Sequence, residues 1–207
     1  FVRGISVADY RMLTEDPHRP LATKSVQGIY PPGSTFKMIT ALAALEEGLI
    51  GPDDTVYCPG YLEVSGRRFH CWRRGGHGHV NLRDGIKYSC DVYFYEVAKR
   101  LGQERIAEEA RAFGLGERYE LGMTGGASGT VPDEAWKKER LNQPWYDGET
   151  LNYGIGQGFL TTSPLQLAVM TARLATGRSV SPRLIKSVNS IEEPDRGGDP
   201  LGVNENH

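Results

Sequence analysis

Ser34 and Lys37 stand three residues apart in the stretch Tyr30-Pro31-Pro32-Gly33-Ser34-Thr35-Phe36-Lys37. On a helix that spacing puts both side chains on one face, with the amine one turn beyond the hydroxyl. A serine hydroxyl is a weak nucleophile near neutral pH and needs a neighbour to take its proton during attack. Lysine does this only where its charged form is disfavoured by burial or by another cation, because an ammonium has no lone pair to offer. The residues around the pair supply both a turn and a dry setting. Pro31, Pro32 and Gly33 make a stiff turn that delivers Ser34 to a helix start. Phe36, Met38, Ile39, Ala41, Leu42, Ala43, Ala44 and Leu45 are apolar on every side, the pattern of a helix inside a core. Glu46 and Glu47 return to solvent, and Gly48 offers a left-handed stop. Taken alone the pair is weak evidence, since serine before a helix is also a good cap and such a spacing arises about once by chance in a chain of this size.

A second set of chemically capable residues follows: Cys58, twelve residues, Cys71, five residues, His77, twelve residues, Cys90. Three thiols and an imidazole suit a tetrahedral, closed zinc site. The spacing lacks a Cys-x-x-Cys knuckle, and the same cysteines also read as buried thiols or as a disulfide with one thiol left over. His70 and His79 compete with His77 for the imidazole position.

Composition bounds the remaining classes. The chain has 207 residues and a formal charge of -2, enough for one domain with a core. It lacks the basic stripe that nucleic-acid binding requires. No apolar run reaches the length of a membrane span, and no signal peptide opens the chain. It begins at Phe1 without methionine and ends in a polar tail, so we expect a segment cut from a longer polypeptide.

The elements expected in order start with a strand or extended entry from Phe1 to Ala8, a helical turn over Asp9 to Leu13 and a loop through Pro20. Short strands are expected at 55–57 and 61–64, and a polar, glycine-rich segment from 65 to 80. Helices follow from Asn81 as cap through Ile86, from Asp91 to Leu101 and from Gln103 to Phe113, so that residues 81–113 form a helical portion. From Gly116 to Glu149 the chain reads as mostly irregular, with Trp136, Trp145 and Tyr146 as a packed loop or the wall of a groove. Gly156-Gln157-Gly158 reads as backbone turns more than as a phosphate loop. Ser163 and Gln166 form a capping box, with Pro164 at the first position of a helix that stops at Gly177. Arg183 to Val188 reads as a strand, and 189–207 as a loop or frayed end. Arg67, Arg68, Arg73 and Arg74 read as a solvated basic face.

The Ser34-x-x-Lys37 tetrad, the Ser89-Cys90-Asp91 triplet, and Gly156-Gln157-Gly158 ahead of Thr162-Ser163-Pro164-Leu165-Gln166-Leu167-Ala168 occur in that order. Together they resemble the transpeptidase domain of class B penicillin-binding proteins, in particular its elongation-specific branch. The resemblance implies an α/β (α+β) fold of the serine β-lactamase and transpeptidase kind, an antiparallel sheet packed with helices. It implies cross-linking of peptidoglycan stem peptides by D,D-transpeptidation. Ser34 would attack the D-Ala-D-Ala carbonyl or a β-lactam ring, and Lys37 would be the base. Ser89 would pass protons to the leaving group, and Asp91, where many relatives have asparagine, would hold the lysine and the substrate amide. The Ser34 N–H would supply half of an oxyanion hole. Alternatives on the same fold are a D,D-carboxypeptidase, a β-lactamase, or a non-catalytic sensor or scaffold. The resemblance implies zinc too, since some relatives in that branch hold it with carboxylate, histidine and cysteine ligands at matching places, which favours one structural zinc on Cys58, Cys71, His77 and Cys90 within the 55–90 segment. The implied setting is the periplasmic face of a bacterial inner membrane, with an anchor upstream and elongation-machinery membrane proteins as partners. One family feature is missing: no Lys-Thr-Gly triplet occurs, and Thr124-Gly125-Gly126 has no preceding lysine and lies in the wrong order. That triplet carries the second oxyanion donor and the cation for the substrate carboxylate, so residues 1–207 read as a partial domain. The 207-residue chain on its own is therefore expected to show little or no β-lactam acylation of Ser34, measured by intact-mass labelling; fast stoichiometric labelling would contradict this.

Overall fold

The computed structural model describes residues 3–122, 126–192, 197–204 and 207; Phe1, Val2, Thr124 and Gly125, which entered the expectations above, lie outside the described residues. Helix α3 (Lys37–Glu46) is the axis of the core, with every side chain from Ile39 to Leu45 buried. An all-round apolar helix has no solvent face to present, so neighbours must cover it on several sides. α5 (Asp91–Leu101) and α6 (Gln103–Ala112) pack on α3, and α8 (Asp147–Gly154) packs in turn on α5. Phe36, Ile39, Phe94, Ile106, Phe113, Leu151 and Leu160 are almost wholly buried where these helices meet. Truncating one of them to alanine would cost about 3–5 kcal/mol through lost transfer energy and an unfilled cavity.

The α5–α8 contact is close because Gly154 has no side chain: a Cβ there would stand 2.4 Å from Ala98 Cβ. Gly154 O, left open at the end of α8, accepts from the buried Thr40 hydroxyl of α3 at 2.9 Å. The remaining elements frame this core. α1 (Val7–Glu15) and the single turn α2 (Lys24–Gln27) precede a 3-10 turn, Gly33–Phe36, that runs into α3. β1 (Val56–Cys58) pairs antiparallel with β4 (Gly78–Val80), and β2 (Tyr61–Val64) pairs with β3 (Arg67–His70). α4 (Leu82–Lys87) leads to α5, and α7 (Glu134–Leu141) to α8. α9 (Pro164–Thr176) ends at Gly177 in the left-handed conformation, and β5 (Ser187–Val188) pairs with β6 (Ile191–Glu192). Among the described residues the β-structure is thus three two-stranded antiparallel pairs set against helices.

Several expectations from the sequence hold in detail. Asn81 caps α4 through Asp84 N–H, Ser163 and Gln166 form the reciprocal capping box of α9, and Gly102 ends α5 at φ +81°. Others change. Val7 and Ala8 are helical, the polar segment after Ser65 contains the paired strands β3 and β4, and the region expected to be irregular contains α7 and α8. The chain after 189 contributes β6, and its final part docks: Leu201 N–H donates to Gly177 O, and Asn204 N–H to the Glu46 carboxylate.

α7 escapes a periodicity argument because charge ties it to α8, which itself packs on α5 through Leu151 and Gly154. Lys137, the one buried side chain of α7, has no exposed surface and donates to both carboxylate oxygens of Glu149, 2.6 Å from Oε2. Its ammonium lies 4.2 Å from the Tyr146 ring centre, and Glu149 Oε2 also accepts from Tyr146 N–H to cap α8. Breaking the pair from either side leaves one charge alone, but Lys137 has no exposed surface, whereas Glu149 keeps 23% of its side chain exposed and its bond from Tyr146 N–H. Glu149→Ala should therefore cost about 3–5 kcal/mol in denaturant unfolding, and Lys137→Met clearly less; equal losses would contradict this account of α7 and α8.

Candidate active site

Ser34 lies in the 3-10 turn ahead of α3, where three residues per turn place positions i and i+3 in line. The serine is exposed while Lys37, at the first position of α3, is 2% exposed. An accessible hydroxyl thus stands directly over a dry amine. The turn is clasped from behind: Gly33 N–H donates to Gly156 O at 2.9 Å, and Gly156, at φ +73°, passes so close to Gly33 O that a Cβ would lie 2.2 Å from it. Below the turn, Phe36 stacks on Tyr153 with ring centres 5.7 Å apart. The Gly156 and Gln157 N–H groups are taken by Tyr153 O and Asn152 O, so they are not turned toward a phosphate.

Lys37 Nζ makes three contacts: it donates to Asp91 Oδ1 at 2.7 Å, to Ser89 O at 3.0 Å and to Ser89 Oγ at 3.0 Å. Three donors are all that an ammonium has. Ser89 Oγ in turn donates to Ser34 Oγ at 2.9 Å, so the amine is linked to the Ser34 hydroxyl through the Ser89 hydroxyl. Ser89 holds φ +52°, a left-handed conformation that costs a non-glycine residue about 1–2 kcal/mol. Its carbonyl is held by Lys37 and by the Trp72 indole N–H. Asp91 begins α5, with one oxygen on Lys37 and the other accepting from Trp72 N–H at 2.9 Å. Trp72 is the member of this arrangement that the sequence did not single out.

Cys58, Cys71, His77 and Cys90 come together beside the triplet, their ligand atoms all within 4.8 Å of one another. The β1–β4 register sets Cys58 against Gly78, and His77 N–H donates to Cys58 O, while Cys71 follows β3 and Cys90 precedes α5. His77 Nδ1 lies 3.7 Å from Cys58 Sγ and 3.6 Å from Cys71 Sγ. A tetrahedron with bonds of about 2.3 Å to sulfur and about 2.1 Å to nitrogen separates such a pair by roughly 3.6 Å, so the donor set fits a tetrahedral metal ion. Trp72 meets the His77 ring edge-on at 5.4 Å and Tyr88 stacks on it at 6.1 Å, fixing its plane. Burial and the nearby Arg73 hold His77 toward its neutral form, and burial pushes the Cys90 thiol well up. All three cysteines are free and buried, and His70 and His79 are exposed on strands away from the cluster.

With this geometry in view, residues 6–203 match the family model described as penicillin binding protein transpeptidase domain. The peptidoglycan D,D-transpeptidase MrdA of Haemophilus influenzae is 40% identical over 205 residues, covering 97% of this chain and 31% of the relative. MrdA of Escherichia coli is 39% identical over 170 residues, covering 81% of this chain and 27% of the relative. Among solved structures, Pseudomonas aeruginosa PBP2 in complex with WCK 5153 superimposes with a TM-score of 0.87 at 40% identity, over 96% of this chain and 43% of that one. The complex of Helicobacter pylori PBP2 with MreC gives a TM-score of 0.87 at 36% identity, over 96% of this chain and 37% of that one. The chain therefore spans about a third of the length of the relatives it matches. The transpeptidase-like α+β fold expected from the motifs is the fold these structures share. By a family match that runs nearly its whole length, over a serine, lysine and Ser-x-Asp triplet brought to one place, this chain belongs to the penicillin binding protein transpeptidase domain family.

Proposed function

We propose that this chain carries the nucleophile and the proton relay of a peptidoglycan D,D-transpeptidase. The observation that supports this most directly is the unbroken line from Ser34 Oγ through Ser89 Oγ to Lys37 Nζ, with Asp91 behind the amine. Ser34 attacks the carbonyl of the penultimate D-Ala of a stem peptide, and its proton passes through Ser89 toward Lys37. Because all three ammonium hydrogens are engaged, Lys37 serves as a base only once one has moved, and Asp91 Oδ1 is the acceptor in reach at 2.7 Å. The amide C–N bond breaks, and the departing D-Ala amine takes the proton from Ser89. An ester on Ser34 remains. The amine of a second stem peptide attacks that ester, the C–O bond breaks, Ser34 recovers its proton, and the new amide is the cross-link. A β-lactam follows the first half, with ring opening in place of D-Ala release.

The Ser34 N–H, in the first turn of its helix, supplies one oxyanion donor. The second donor, and the cation for the substrate carboxylate, belong to the part of the domain outside these residues, in keeping with the share of its relatives that the chain spans. By the same likeness the whole protein works at the periplasmic face of the inner membrane with elongation-machinery membrane proteins, as the pairing of Helicobacter pylori PBP2 with MreC suggests. No helix among the described residues is long and apolar enough to cross a membrane.

Cys58, Cys71, His77 and Cys90 hold one structural zinc in this reading. With four protein ligands and no open position, the ion takes no part in the chemistry. It ties the polar segment 65–80, which has little apolar surface of its own, to the Ser89 loop.

Two experiments test this. In a polypeptide that carries this chain within the full length of its relatives, a stem-peptide donor with an added amine acceptor should give the cross-linked product, and Ser34→Ala should abolish it. Release of D-Ala with no acceptor product would instead make the protein a carboxypeptidase, and retained cell function of Ser34→Ala a scaffold. For the metal, purified protein should contain about one equivalent of zinc, and loading should release protons from the thiols. Less than about a tenth of an equivalent before and after reconstitution would overturn the zinc assignment.

A further inference from the structure

Trp72 is 65% exposed, an unfavourable place for an indole, yet both its N–H groups are committed inward. Its main-chain N–H donates to Asp91 Oδ2 at 2.9 Å. Its indole Nε1–H is shared between Tyr88 O at 3.0 Å and Ser89 O at 3.2 Å. Ser89 O and Asp91 are the groups that also hold Lys37, so one residue of the β3–β4 connection grips the triplet at both ends. The ring meets His77 edge-on. Trp72 lines a groove of about 460 Å³ with His70, Arg74, Tyr95, Asp91 and Ile155.

We propose that Trp72 is a positioning residue of the acyl-transfer site: its indole N–H fixes the left-handed turn at Ser89 and so aims Ser89 Oγ at Ser34. The inference rests on Ser34 being the acylated nucleophile. Ser89 at φ +52° is not a conformation serine takes unaided, and its own N–H is already spent on Ile86 O. The carbonyl is the handle by which the turn is held, and two donors hold it, Lys37 Nζ and Trp72 Nε1. If the indole donor is lost, Ser89 O rests on the ammonium alone and the turn can relax toward ordinary backbone angles. Ser89 Oγ then swings off the line between Lys37 and Ser34. Exposure of the residue is no obstacle to this, because the indole N–H acts through the ring edge.

The test removes the N–H and keeps the ring, in the full-length protein with its metal. Trp72→Phe, and replacement of Trp72 by benzothienylalanine, which differs from tryptophan by a sulfur in place of the N–H, should both slow β-lactam acylation per titratable Ser34 about tenfold, the worth of one hydrogen bond in a transition state. Non-covalent affinity for the β-lactam, zinc content and melting temperature should stay near the parent values. A residue that merely stabilises the loop would lower the melting temperature or the fraction of titratable sites and leave the rate per site unchanged. An acylation rate within twofold of the parent in the benzothienylalanine protein overturns the proposal. If the substituted proteins do not fold, exchange of the Trp72 indole proton in the parent decides: about tenfold or more slowing relative to free tryptophan supports the bond, and free exchange overturns it. Absence of any Ser34 adduct in the parent protein would be the failure of the underlying reading, and is seen before any Trp72 variant is made.

Discussion

A lysine ammonium with almost no contact with water is the constraint from which the site follows. Burying such a charge costs several kcal/mol unless acceptors replace its hydration. Lys37 finds three: the Asp91 carboxylate, the Ser89 carbonyl and the Ser89 hydroxyl. Two consecutive demands follow. The loop before α5 must turn both a carbonyl and a hydroxyl of one residue toward the same point, which forces Ser89 into the left-handed region. Asp91 must stand at the start of α5, where the helix dipole favours its negative charge. The same contacts that settle the amine also leave the Ser89 hydroxyl pointing at Ser34. Stability and chemistry are thus served by one set of hydrogen bonds.

The thiol and imidazole cluster acts on the same loop from the other side. Cys90 is the middle residue of the triplet, and Cys71 directly precedes Trp72, whose main chain holds Asp91. Any link that ties Cys71 and Cys90 together therefore fixes the distance between the β3–β4 connection and the Ser89 turn. The core side is rigid by contrast. Gly154 lets α8 lie against α5, and Gly156 clasps the turn that carries the nucleophile, so backbone contacts set the position of Ser34. Ser34 and Lys37 sit at the start of α3 and Asp91 at the start of α5, with the Ser89 turn between them.

What the sequence disclosed and what it withheld divide along physical lines. Helix ends were legible because caps are local: Asn81, Gly102, Ser163 with Gln166, and Gly177 act within a few residues of themselves. The all-apolar run of α3 was legible for the same reason, and with it a dry setting for Lys37. α7 was not, because its one buried side chain is the charged Lys137, paired with Glu149, and α8 was not, because its buried Leu151 and Tyr153 are too few to make an apolar stripe. The meeting of Cys58, Cys71, His77 and Cys90 depends on strand register and could only be guessed from spacing and family likeness. The choice of His77 over His70 and His79 likewise became visible only once the strands placed the other two outward. Ser34 and Lys37 were expected side by side; the intermediate place of Ser89 Oγ comes from a backbone conformation that no propensity scale assigns to serine.

The central claim is that the buried amine drives acylation of Ser34 through Ser89, and its most direct test avoids stranding a charge. In the full-length protein, the parent is compared with the double variant Lys37→Met with Asp91→Asn, in which neither charge is left without its partner. The rate constant for β-lactam acylation at Ser34 should be about 100-fold or more lower in the double variant, the range expected for loss of a general base. Equal acylation rates in the two proteins, both folded, would contradict the account.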